Sequence, residues 1–408
     1  MTKAYQLALN GKAVDKDFYQ DVVSLTVEEN TSTPGACRVQ LRVRLKDDGS
    51  WNYVDDDMLA PLAKVSIKIG FTSGGGLAAA LGSLLGGGGG ASDGLSAVFD
   101  GYITNVQLDL DSTPGQTFLE LRGMDTGFLM SLEEKVVAWP DMSDGDIAQQ
   151  IISSYGVKVD ADTTSTVHQQ DTTTIIQRGT DLQFIRELAQ RNGVEFYFKT
   201  DDKSGKITGI FKAPQLSGNP QPDLAIQAGD KTNLRNFSVH LTASRPLNVK
   251  LTQMDVEQNS ANSSTASDIQ LAKLGKKDLN ALIGGPLGSL AAPKEASAQM
   301  LLLGPPTSDS GELKTLAQAV RDEAGWFLSA HGEVNSDGYQ NVLRPHGLVL
   351  VKGAGKAYSG KYYVTRVIHE IKSDGSYAQK FEARRNARDL DGSEKFGGGG
   401  GGLPIPGI

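Results

Sequence analysis

Side chains that could bind a metal ion are few in this chain and far apart in sequence. Zinc sites usually take histidines or cysteines that lie about three to five residues from one another. No two of the five histidines have that spacing, and Cys37 is the only cysteine. The spacing therefore predicts no metal centre. The histidines are His168, His240, His331, His346 and His369.

Acidic clusters, glycine-rich stretches and His369 have simpler explanations than a catalytic or phosphate site. The aspartates at 55–57 are typical of a solvated turn, and those at 141–146 precede a helix, whose dipole favours acidic residues at its start. The glycines at 86–90 lack the following Lys and Ser or Thr of a phosphate loop, and the stretch at 353–356 lacks its first glycine and its hydroxyl residue. No Gly-x-Ser-x-Gly motif has an acid and a histidine at suitable places. His369 is interpreted as a strand residue with local hydrogen bonds, so the sequence predicts no catalytic residue, metal or cofactor.

Composition narrows the class of protein further. A formal net charge of −8 argues against specific binding of nucleic acid. One cysteine excludes a framework of intramolecular disulfides. The chain does not open on a charged and then apolar leader, so we expect no Sec signal peptide. The longest stretch of low polarity, at 77–90, is too short to span a bilayer.

Residues 1–124 show the alternation of apolar and polar side chains that is typical of β-strands. Turn signals rich in Pro, Gly and Asp separate these stretches, and a glycine-rich insert occupies 71–96. Short alternating strands of this kind predict a small closed β-barrel. The strands are predicted at 22–27, 37–45, 64–70, 98–108 and 117–122.

Residues 125–206 change to a helical pattern and predict a small α/β domain. Ser143 is the expected N-cap of a first helix, with Asp146 at the capping-box position. Gly156 is the expected left-handed end of this first helix. A second helix begins at Thr180, and Asn192-Gly193 ends it. Its predicted buried stripe consists of Leu182, Phe184, Ile185, Leu188 and Ala189.

The remaining residues predict a second barrel, an insertion and a tail. The barrel is assigned to 207–256 plus 311–388 and includes a helix at 311–331. The segment at 257–310 is rich in Ser, Ala and Gly and is interpreted as a low-complexity insertion without a core of its own. Residues 389–408 are a glycine-rich flexible tail with an apolar tip at Leu403, Ile405 and Ile408. This tip is interpreted either as a docking segment or as an end without fixed structure.

The second half of the chain repeats the pattern of the first half. Thr104 precedes Leu119 by fifteen residues. Thr365 precedes Phe381 by sixteen. Order and spacing favour an internal duplication over chance similarity of short strands, and a duplicated unit multiplies whatever symmetry an oligomer has. The strands before each repeat are predicted at 23–27 and 39–45 in the first half and at 237–241 and 249–251 in the second. The predicted fold class is α+β, mainly β, with two similar barrels joined by the α/β domain.

Three segments carry a resemblance to a known family. The first, at 122–129, begins Arg122-Gly123-x-Asp125. The second, at 180–198, ends its helix with Arg191-Asn192-Gly193 directly before an aromatic strand. The third, at 358–387, contains Tyr363 and His369 and ends with Arg384-Arg385-Asn386-Ala387. Together they resemble the phage late control D proteins, which are the baseplate hubs of contractile tails, and the N-terminal half of VgrG spike proteins. The resemblance covers most of 10–388 outside the two inserts.

The resemblance implies a homotrimer whose two tube-like barrels per subunit form a pseudo-sixfold ring around a central channel. One face of such a ring matches hexameric inner-tube or tube-initiator proteins, and the other a trimeric spike. It also implies contacts with baseplate wedge or sheath-proximal proteins, assembly in the bacterial cytoplasm, and a place in a phage tail or a contractile injection particle. VgrG-like members continue past the equivalent of Ala387 into a needle, so here the spike is expected to be a separate protein, and the apolar tip of the tail a candidate for docking it.

Two other classes of function stay open from the sequence. One is a β-rich hydrolase delivered by such a particle, and the other is a glycan-binding module. The three tryptophans, Trp51, Trp139 and Trp326, are scattered singly and form no predicted aromatic platform. The sequence does not distinguish a phage tail from an injection system, and it does not say what passes through the channel.

Overall fold

The computed structural model describes residues 2–54, 57–72, 94–113, 115–171, 174–255, 259–289, 299–303, 310–392 and 394. These residues are mainly β-structure with fewer helices, which confirms the predicted α+β class. Most of the predicted insert at 71–96 and the apolar tip formed by Leu403, Ile405 and Ile408 lie outside the described residues.

Residues 2–125 form the first repeat. All five strands predicted from alternation are present, and the structure adds an N-terminal strand, which pairs with the strand at Lys64–Thr72. The elements are β1 (Thr2–Leu9), β2 (Lys12–Ala13), α1 (Lys16–Asp21), β3 (Val22–Asn30), β4 (Ala36–Arg42), a 3₁₀ turn (Asp57–Leu59), β5 (Lys64–Thr72), β6 (Leu95–Asp109) and β7 (Phe118–Asp125).

The middle domain contains two helices, each of which begins with a capping box, and the one at Ser143 was predicted. Ser143 and Asp146 form a capping box at the start of the first helix, and Thr180 forms another with Gln183 at the start of the second. Gly193 ends the second helix with φ of 66°, a conformation that glycine adopts without a steric penalty. The elements are a 3₁₀ helix (Thr126–Ser131), β8 (Glu134–Trp139), β9 (Met142–Ser143), α2 (Asp144–Ser154), β10 (Lys158–Ala161), β11 (Val167–His168), β12 (Ile175–Thr180), α3 (Asp181–Asn192), β13 (Glu195–Thr200) and β14 (Ile207–Lys212).

The second repeat is interrupted by an insertion with its own secondary structure. The first part of the repeat is β15 (Gln221–Ala225), a 3₁₀ turn (Gly229–Lys231) and β16 (Leu234–Leu241). The insertion is β17 (Asn248–Asp255), β18 (Ser260–Ala266), α4 (Leu279–Ser289), β19 (Gln299–Leu303) and α5 (Ser310–Ala324). The repeat resumes with β20 (Leu328–Asn335), α6 (Ser336–Tyr339), β21 (Gly347–Lys352), α7 (Gly355–Tyr358), β22 (Gly360–Lys372) and β23 (Tyr377–Arg385).

The two repeats have the same strand order. When the strands of each repeat are numbered one to six along the chain, with the short β2 left out, the order across the sheet is 2-3-6-5-4-1 in both. In the first repeat this order is β3-β4-β7-β6-β5-β1, and in the second it is β16-β20-β23-β22-β21-β15. The shared order confirms the predicted duplication. One pairing differs, because β1 runs antiparallel to β5 whereas β15 runs parallel to β21.

The repeats also share two β-bulges, which fix how their residues correspond. The long fifth strand is bulged at Thr104 in the first repeat and at Thr365 in the second. The second strand is bulged at Val23 and at Arg235. Two residues after the bulge, Val106 pairs with Leu121 in the first repeat and Val367 pairs with Phe381 in the second, so Phe381 corresponds to Leu121. The sequence-based alignment of Phe381 with Leu119 is therefore wrong by two residues.

Each repeat encloses its own hydrophobic core. The first core takes side chains from every long strand of its repeat and from α1, so that half of the sheet must curve around it. The second core is built in the same way from the other half. Fully buried members are Phe18, Leu25, Leu41 and Ile67 in the first core and Val334, Leu343, Val349 and Tyr362 in the second.

The predicted pair of closed barrels is replaced by one continuous sheet. In the part of the chain that the structure describes, thirteen strands from both repeats form this sheet, and no strand set closes on itself. The connection is made by β22, whose residues after Thr365 pair with β3 of the first repeat, from Arg366–Asn30 to Lys372–Ser24. The free edge of β22, which would have to pair within its own repeat to close a barrel, instead joins the two repeats.

The insertion corrects the assignment of the strand at 249–251. This stretch lies in β17, which pairs with β18 and β19 in a separate three-stranded sheet. The third strand of the second repeat is β20, which comes after the insertion. The insertion also has a small core in which α5 packs on β17, so its polar composition does not prevent folding: the core contains Val249, Leu251, Ala266, Leu313 and Ala317. Helix α5 ends at Ala324 rather than at 331.

Candidate functional site: the junctions between the structural units

A half-buried ion pair joins the first repeat to the second. Arg344 donates to Oε1 of Glu29 from Nε at 3.0 Å and from Nη2 at 2.7 Å. The other carboxylate oxygen of Glu29 lies 3.2 Å from Nε2 of His369, whose Nδ1 lies 2.9 Å from the hydroxyl of Tyr377. His369 is fully buried. These four side chains come from β3, the loop before β21, β22 and β23, so the cluster fixes the two repeats relative to each other.

The charges in this cluster are set by burial and by the pairing. Burial lowers the pKa of His369, and the hydrogen bond with Glu29 only partly opposes this, so the imidazole is neutral at pH 7. Burial by itself would raise the pKa of Glu29, but the Arg344 guanidinium and the hydrogen bond from His369 outweigh it and hold the pKa below its ordinary value. Neutral His369 then donates from Nε2 to Glu29 and accepts at Nδ1 from Tyr377. The prediction of only local hydrogen bonds for His369 is therefore wrong.

A second cluster joins the middle domain to the second repeat. Glu195 on β13 accepts a hydrogen bond from the Tyr363 hydroxyl at 2.6 Å, and its Oε2 lies 3.0 Å from Nδ1 of His346. Arg384 approaches the other oxygen at 3.4 Å and lies 4.3 Å from the centre of the Trp326 ring. Burial and the neighbouring Glu195 carboxylate raise the pKa of Tyr363, so its hydroxyl remains a donor.

A third cluster joins the middle domain to the insertion. Asp144, at the start of α2, accepts from Arg191 Nε at 2.8 Å and from Asn192 Nδ2 at 2.6 Å. Arg191 also pairs with Glu312 on α5. Gly193 lies against α5, where a Cβ would make ordinary van der Waals contact with Ala319 at 3.4 Å, so its φ of 66° rather than space favours glycine. In the Arg191-Asn192-Gly193 motif, Arg191 and Gly193 thus contact α5, and Asn192 binds Asp144 of α2.

Arg385 and Asn386 attach the insertion to the last strand of the second repeat. Arg385 is fully buried and donates to three backbone carbonyls, those of Leu274, Ser359 and Asp389, at 3.1, 2.7 and 2.9 Å. Asn386 donates to the Ala272 carbonyl at 2.9 Å and accepts from the Leu274 amide at the same distance. These two side chains hold the loop before α4 in place.

The remaining motif residues, Gly123 and Asp125, support the first repeat. A Cβ at Gly123 would lie 2.8 Å from the Cys37 sulfur, so only glycine fits there. Asp125 accepts from the backbone amides of Gly35 and Gly127. Burial raises the pKa of Asp125 to about 6, which the two hydrogen bonds only partly oppose.

A large cleft lies where the three units meet. It has a volume of about 520 Å³, and its walls include Glu29, Asp125, Arg186, Arg344 and His346. Glu29, Asp125, Arg344 and His346 are all used in the structural hydrogen bonds described above, and the Arg186 guanidinium lies near Asp125. The cleft is therefore a seam between units whose polar groups hold those units together.

The structure tests the other predicted residues only in part. His240 and His331 are exposed, and His168 is buried beside Asp144 at 2.9 Å. Among the described residues, no three side chains of His, Cys, Asp or Glu come close enough together to hold a metal ion. Within the same residues, none of the helices combines the length and the apolar composition needed to cross a bilayer. The prediction of a docking tail stays untested.

The family model for the Alg8 N-terminal domain matches residues 89–373, which is more than half of the chain and includes all four junctions in part. The chain belongs to the Alg8 N-terminal domain family. Among curated protein sequences, none matches the chain.

Solved structures of two tail proteins and of a type VI secretion component have a fold similar to that of this chain. The 43 kDa tail protein of prophage MuSo2 from Shewanella oneidensis aligns with a TM-score of 0.62 at 12% identity, over 95% of this chain and 100% of that one. A tail protein from Neisseria meningitidis MC58 gives 0.60 at 12% identity, over 95% and 97%. The Escherichia coli c3393 protein, described as a component of the type VI secretion system, gives 0.51 at 13% identity, over 96% and 79%. At this identity the similarity shows a common fold.

Three acidic residues of the junctions were missed from the sequence. Glu29, Asp144 and Glu195 each accept hydrogen bonds from residues of the predicted motifs. Glu195 lies within the segment at 180–198 and Asp144 among the aspartates at 141–146, but the sequence assigned these partners to neither of them. Glu29 and His369 are 340 residues apart in sequence. The available signal was indirect: motif residues such as His369 and Arg385 lie on alternating strands at positions expected to be buried, where polar groups need partners.

Proposed function

We propose that this chain is a non-enzymatic structural hub of a tail-like particle. In this proposal three copies form a ring around a central channel, which joins a hexameric inner tube on one side to a trimeric spike on the other. The spike is proposed to be a separate protein. The particle is a phage tail or a contractile injection system.

The observation that carries the proposal is the duplicated six-strand unit. Both repeats have the same strand order and the same two bulges, and a single sheet runs through them. A homotrimer of such chains presents six near-equivalent units, whereas single-repeat subunits would present only three. That is the property an adaptor needs between sixfold and threefold partners.

The junctions support a mechanical role for the hub. A chain that transmits force between tube and spike needs its units held in one arrangement. Buried ion pairs and hydrogen bonds are specific in geometry, so they favour a single relative orientation of the units over alternatives. Glu29, Glu312 and Glu195 supply such contacts at three different boundaries. On sheath contraction the hub is expected to move with tube and spike as one body.

The comparisons support the same setting. The proteins of known structure with this fold include tail proteins from prophage MuSo2 and from Neisseria meningitidis, and a type VI secretion component. The partners proposed for this chain are therefore inner-tube or tube-initiator proteins, the spike, and baseplate wedge or sheath-proximal proteins. No specific binding of nucleic acid and no membrane span are proposed, and assembly takes place in the bacterial cytoplasm.

The predicted domain boundaries are kept in the proposal with one change. The first repeat is 1–124 with the insert at 71–96, the middle domain is 125–206, and the second repeat is 207–256 plus 311–388. The change is that β17 and α5 belong with the insertion at 257–310. The tail at 389–408, with Leu403, Ile405 and Ile408, is proposed as the docking segment for the spike.

Reconstitution tests the proposed function. The purified chain is mixed with the inner-tube protein and the spike protein of the same particle, and complexes are separated by gel filtration with light scattering. The expected complex contains three hub chains for each hexameric tube ring and each trimeric spike. A variant that ends at residue 394 tests the tail: it should keep tube binding and lose spike binding. A chain that binds neither partner would refute the hub assignment.

A further inference from the structure

The internal connection between the repeats shows how one repeat recognises the next. Up to Val364, β22 pairs with β21 of its own repeat. After the bulge at Thr365 it pairs instead with β3 of the first repeat. The change of partner therefore occurs at the bulge. On the face that this pairing buries, Val367 and Ile371 lie with Leu25 and Val27.

The first repeat has the same strand and the same bulge but lacks the second partner. Up to Tyr102, β6 pairs with β5. After the bulge at Thr104, no strand within the described residues pairs with the free side of β6. The apolar side chains there are left in solvent: Val106 is 40% exposed, Leu108 is 36% exposed, and Leu110, which directly follows β6, is 61% exposed. Such an unpaired apolar edge invites pairing with another strand.

The complementary edge lies at the opposite end of the sheet. Strand β16 is the second-repeat equivalent of β3, and it is the last strand of the thirteen-stranded sheet. It pairs with β20 on one side, and no described strand pairs with its other side. Its alternating apolar residues Phe237, Val239 and Leu241 are only half-buried. Each chain thus carries one free edge of each kind.

We propose that the free edge of β6 in one protomer pairs antiparallel with β16 of a second copy, and that this pairing is the contact between protomers in the ring. The inference rests on the proposed hub function and names the surface that assembles it. A contact between two different edges is head-to-tail, so it can repeat from chain to chain until a ring closes.

The bulges predict the register of this contact. In the internal joint, Val367 lies two residues after the bulge at Thr365 and pairs with Glu29, which lies six residues after the bulge at Val23. Ile371, six residues after Thr365, pairs with Leu25, two residues after Val23. The same count from Thr104 and Arg235 gives the pairs between protomers. They are Val106 with Leu241, Gln107 with His240, Leu108 with Val239, Asp109 with Ser238, and Leu110 with Phe237.

This register places apolar side chains opposite apolar side chains without adjustment. All three exposed residues meet the three half-buried apolar residues of β16, and the alternate positions pair polar with polar. No two charges of the same sign stand opposite each other. A shift by one residue would instead set Leu108 against a polar side chain, because successive strand residues face opposite sides. The internal joint and the exposed residues are independent observations, and both give the same register.

Cysteine cross-linking tests the register directly. In the internal joint, Gln107 and His240 correspond to the paired residues Ile368 and Glu28. The Thr31 amide donates to the Thr365 carbonyl at 2.9 Å, and because hydrogen-bonded and non-hydrogen-bonded pairs alternate, Ile368 and Glu28 are a non-hydrogen-bonded pair. The Cα atoms of such a pair are about 4.5 Å apart, which is within reach of a disulfide. The double variant Gln107→Cys, His240→Cys is oxidised and run on a denaturing gel. The native Cys37 is buried and does not interfere.

The expected result is covalent dimers and trimers from the double variant. The matched control, Gln107→Cys with Ser238→Cys, is two residues out of register and should stay monomeric on the gel. A wild-type chain that is trimeric in solution while the in-register variant fails to cross-link would overturn the strand pairing and leave the hub function standing. A wild-type chain that stays monomeric at all concentrations would overturn both.

A second variant removes the apolar match. Leu108→Lys places an ammonium opposite Val239 and should weaken association about 10- to 100-fold for each contact, from the lost burial of one leucine. Val136→Lys is the control, since Val136 is also an apolar strand residue and is 81% exposed, but lies in the middle domain. Circular dichroism checks that both variants fold. Unchanged association of folded Leu108→Lys would contradict the proposal.

Discussion

Replacing Arg344 with methionine removes the cation from the junction between the repeats and leaves Glu29 largely buried without its partner. Arg344 makes two hydrogen bonds to Glu29, and the two side chains are 29% and 14% exposed. Breaking a fully buried pair costs about 3–5 kcal/mol, whereas an exposed pair contributes about 0.2–1 kcal/mol. The intermediate exposure predicts a loss of about 2–3 kcal/mol in the free energy of unfolding.

A double-mutant cycle distinguishes this ion pair from simple loss of packing. Glu29→Gln removes the charge from the other side, and the double variant leaves no unpaired charge. The double variant should therefore be less destabilised than the sum of the two single variants, by about 1–2 kcal/mol. Chemical denaturation at pH 7.5, monitored by circular dichroism, measures all four proteins. Effects that add to within about 0.5 kcal/mol would refute the claim that this pair joins the repeats.

Three further predictions concern the other buried groups. The pKa of His369 is below its ordinary value in the folded chain, so the unfolded state binds more protons as pH falls below about 6.5, and the free energy of unfolding should fall with pH there. His369→Gln should therefore make the free energy of unfolding depend less steeply on pH between 7.5 and 5.5. An unchanged pH dependence would contradict a buried neutral imidazole. Arg385→Lys cannot reach three carbonyls at once and should cost about 3 kcal/mol in thermal unfolding, against less than about 0.5 kcal/mol for the exposed Lys46→Arg. Gly123→Ala sets a Cβ within 2.8 Å of the Cys37 sulfur and should lower the melting temperature, and Cys37→Ala should restore part of the loss; a melting temperature that does not change in Gly123→Ala would show that the strands have room.

Local features of this fold could be predicted because they depend on neighbouring residues. The cap at Ser143 and the helix end at Gly193 are short-range patterns, and the structure has both. Alternation predicts five strands of the first repeat but misses β1. The duplication could be seen because both repeats keep the same order of strands.

Long-range features could not be read in the same way. The strand at 249–251 alternates as well as β20 does, and only pairing across the insertion shows that β20 belongs to the repeat. Whether the sheet closes into barrels depends on which edge β22 meets after Thr365, and alternation does not say. The partnership of Glu29 with His369 joins the two ends of the chain, and neither residue's neighbours indicate the other.

The central claim is that one chain supplies two equivalent ring units, and the symmetry of the assembled protein tests it most directly. The purified chain, at a concentration where light scattering gives a stable oligomer, is imaged by electron microscopy and the particles are averaged without imposed symmetry. We expect a mass of three chains and a ring with threefold symmetry and six similar lobes about sixty degrees apart. A twofold particle, or a threefold ring in which the two repeats lie at clearly different radii, would contradict it.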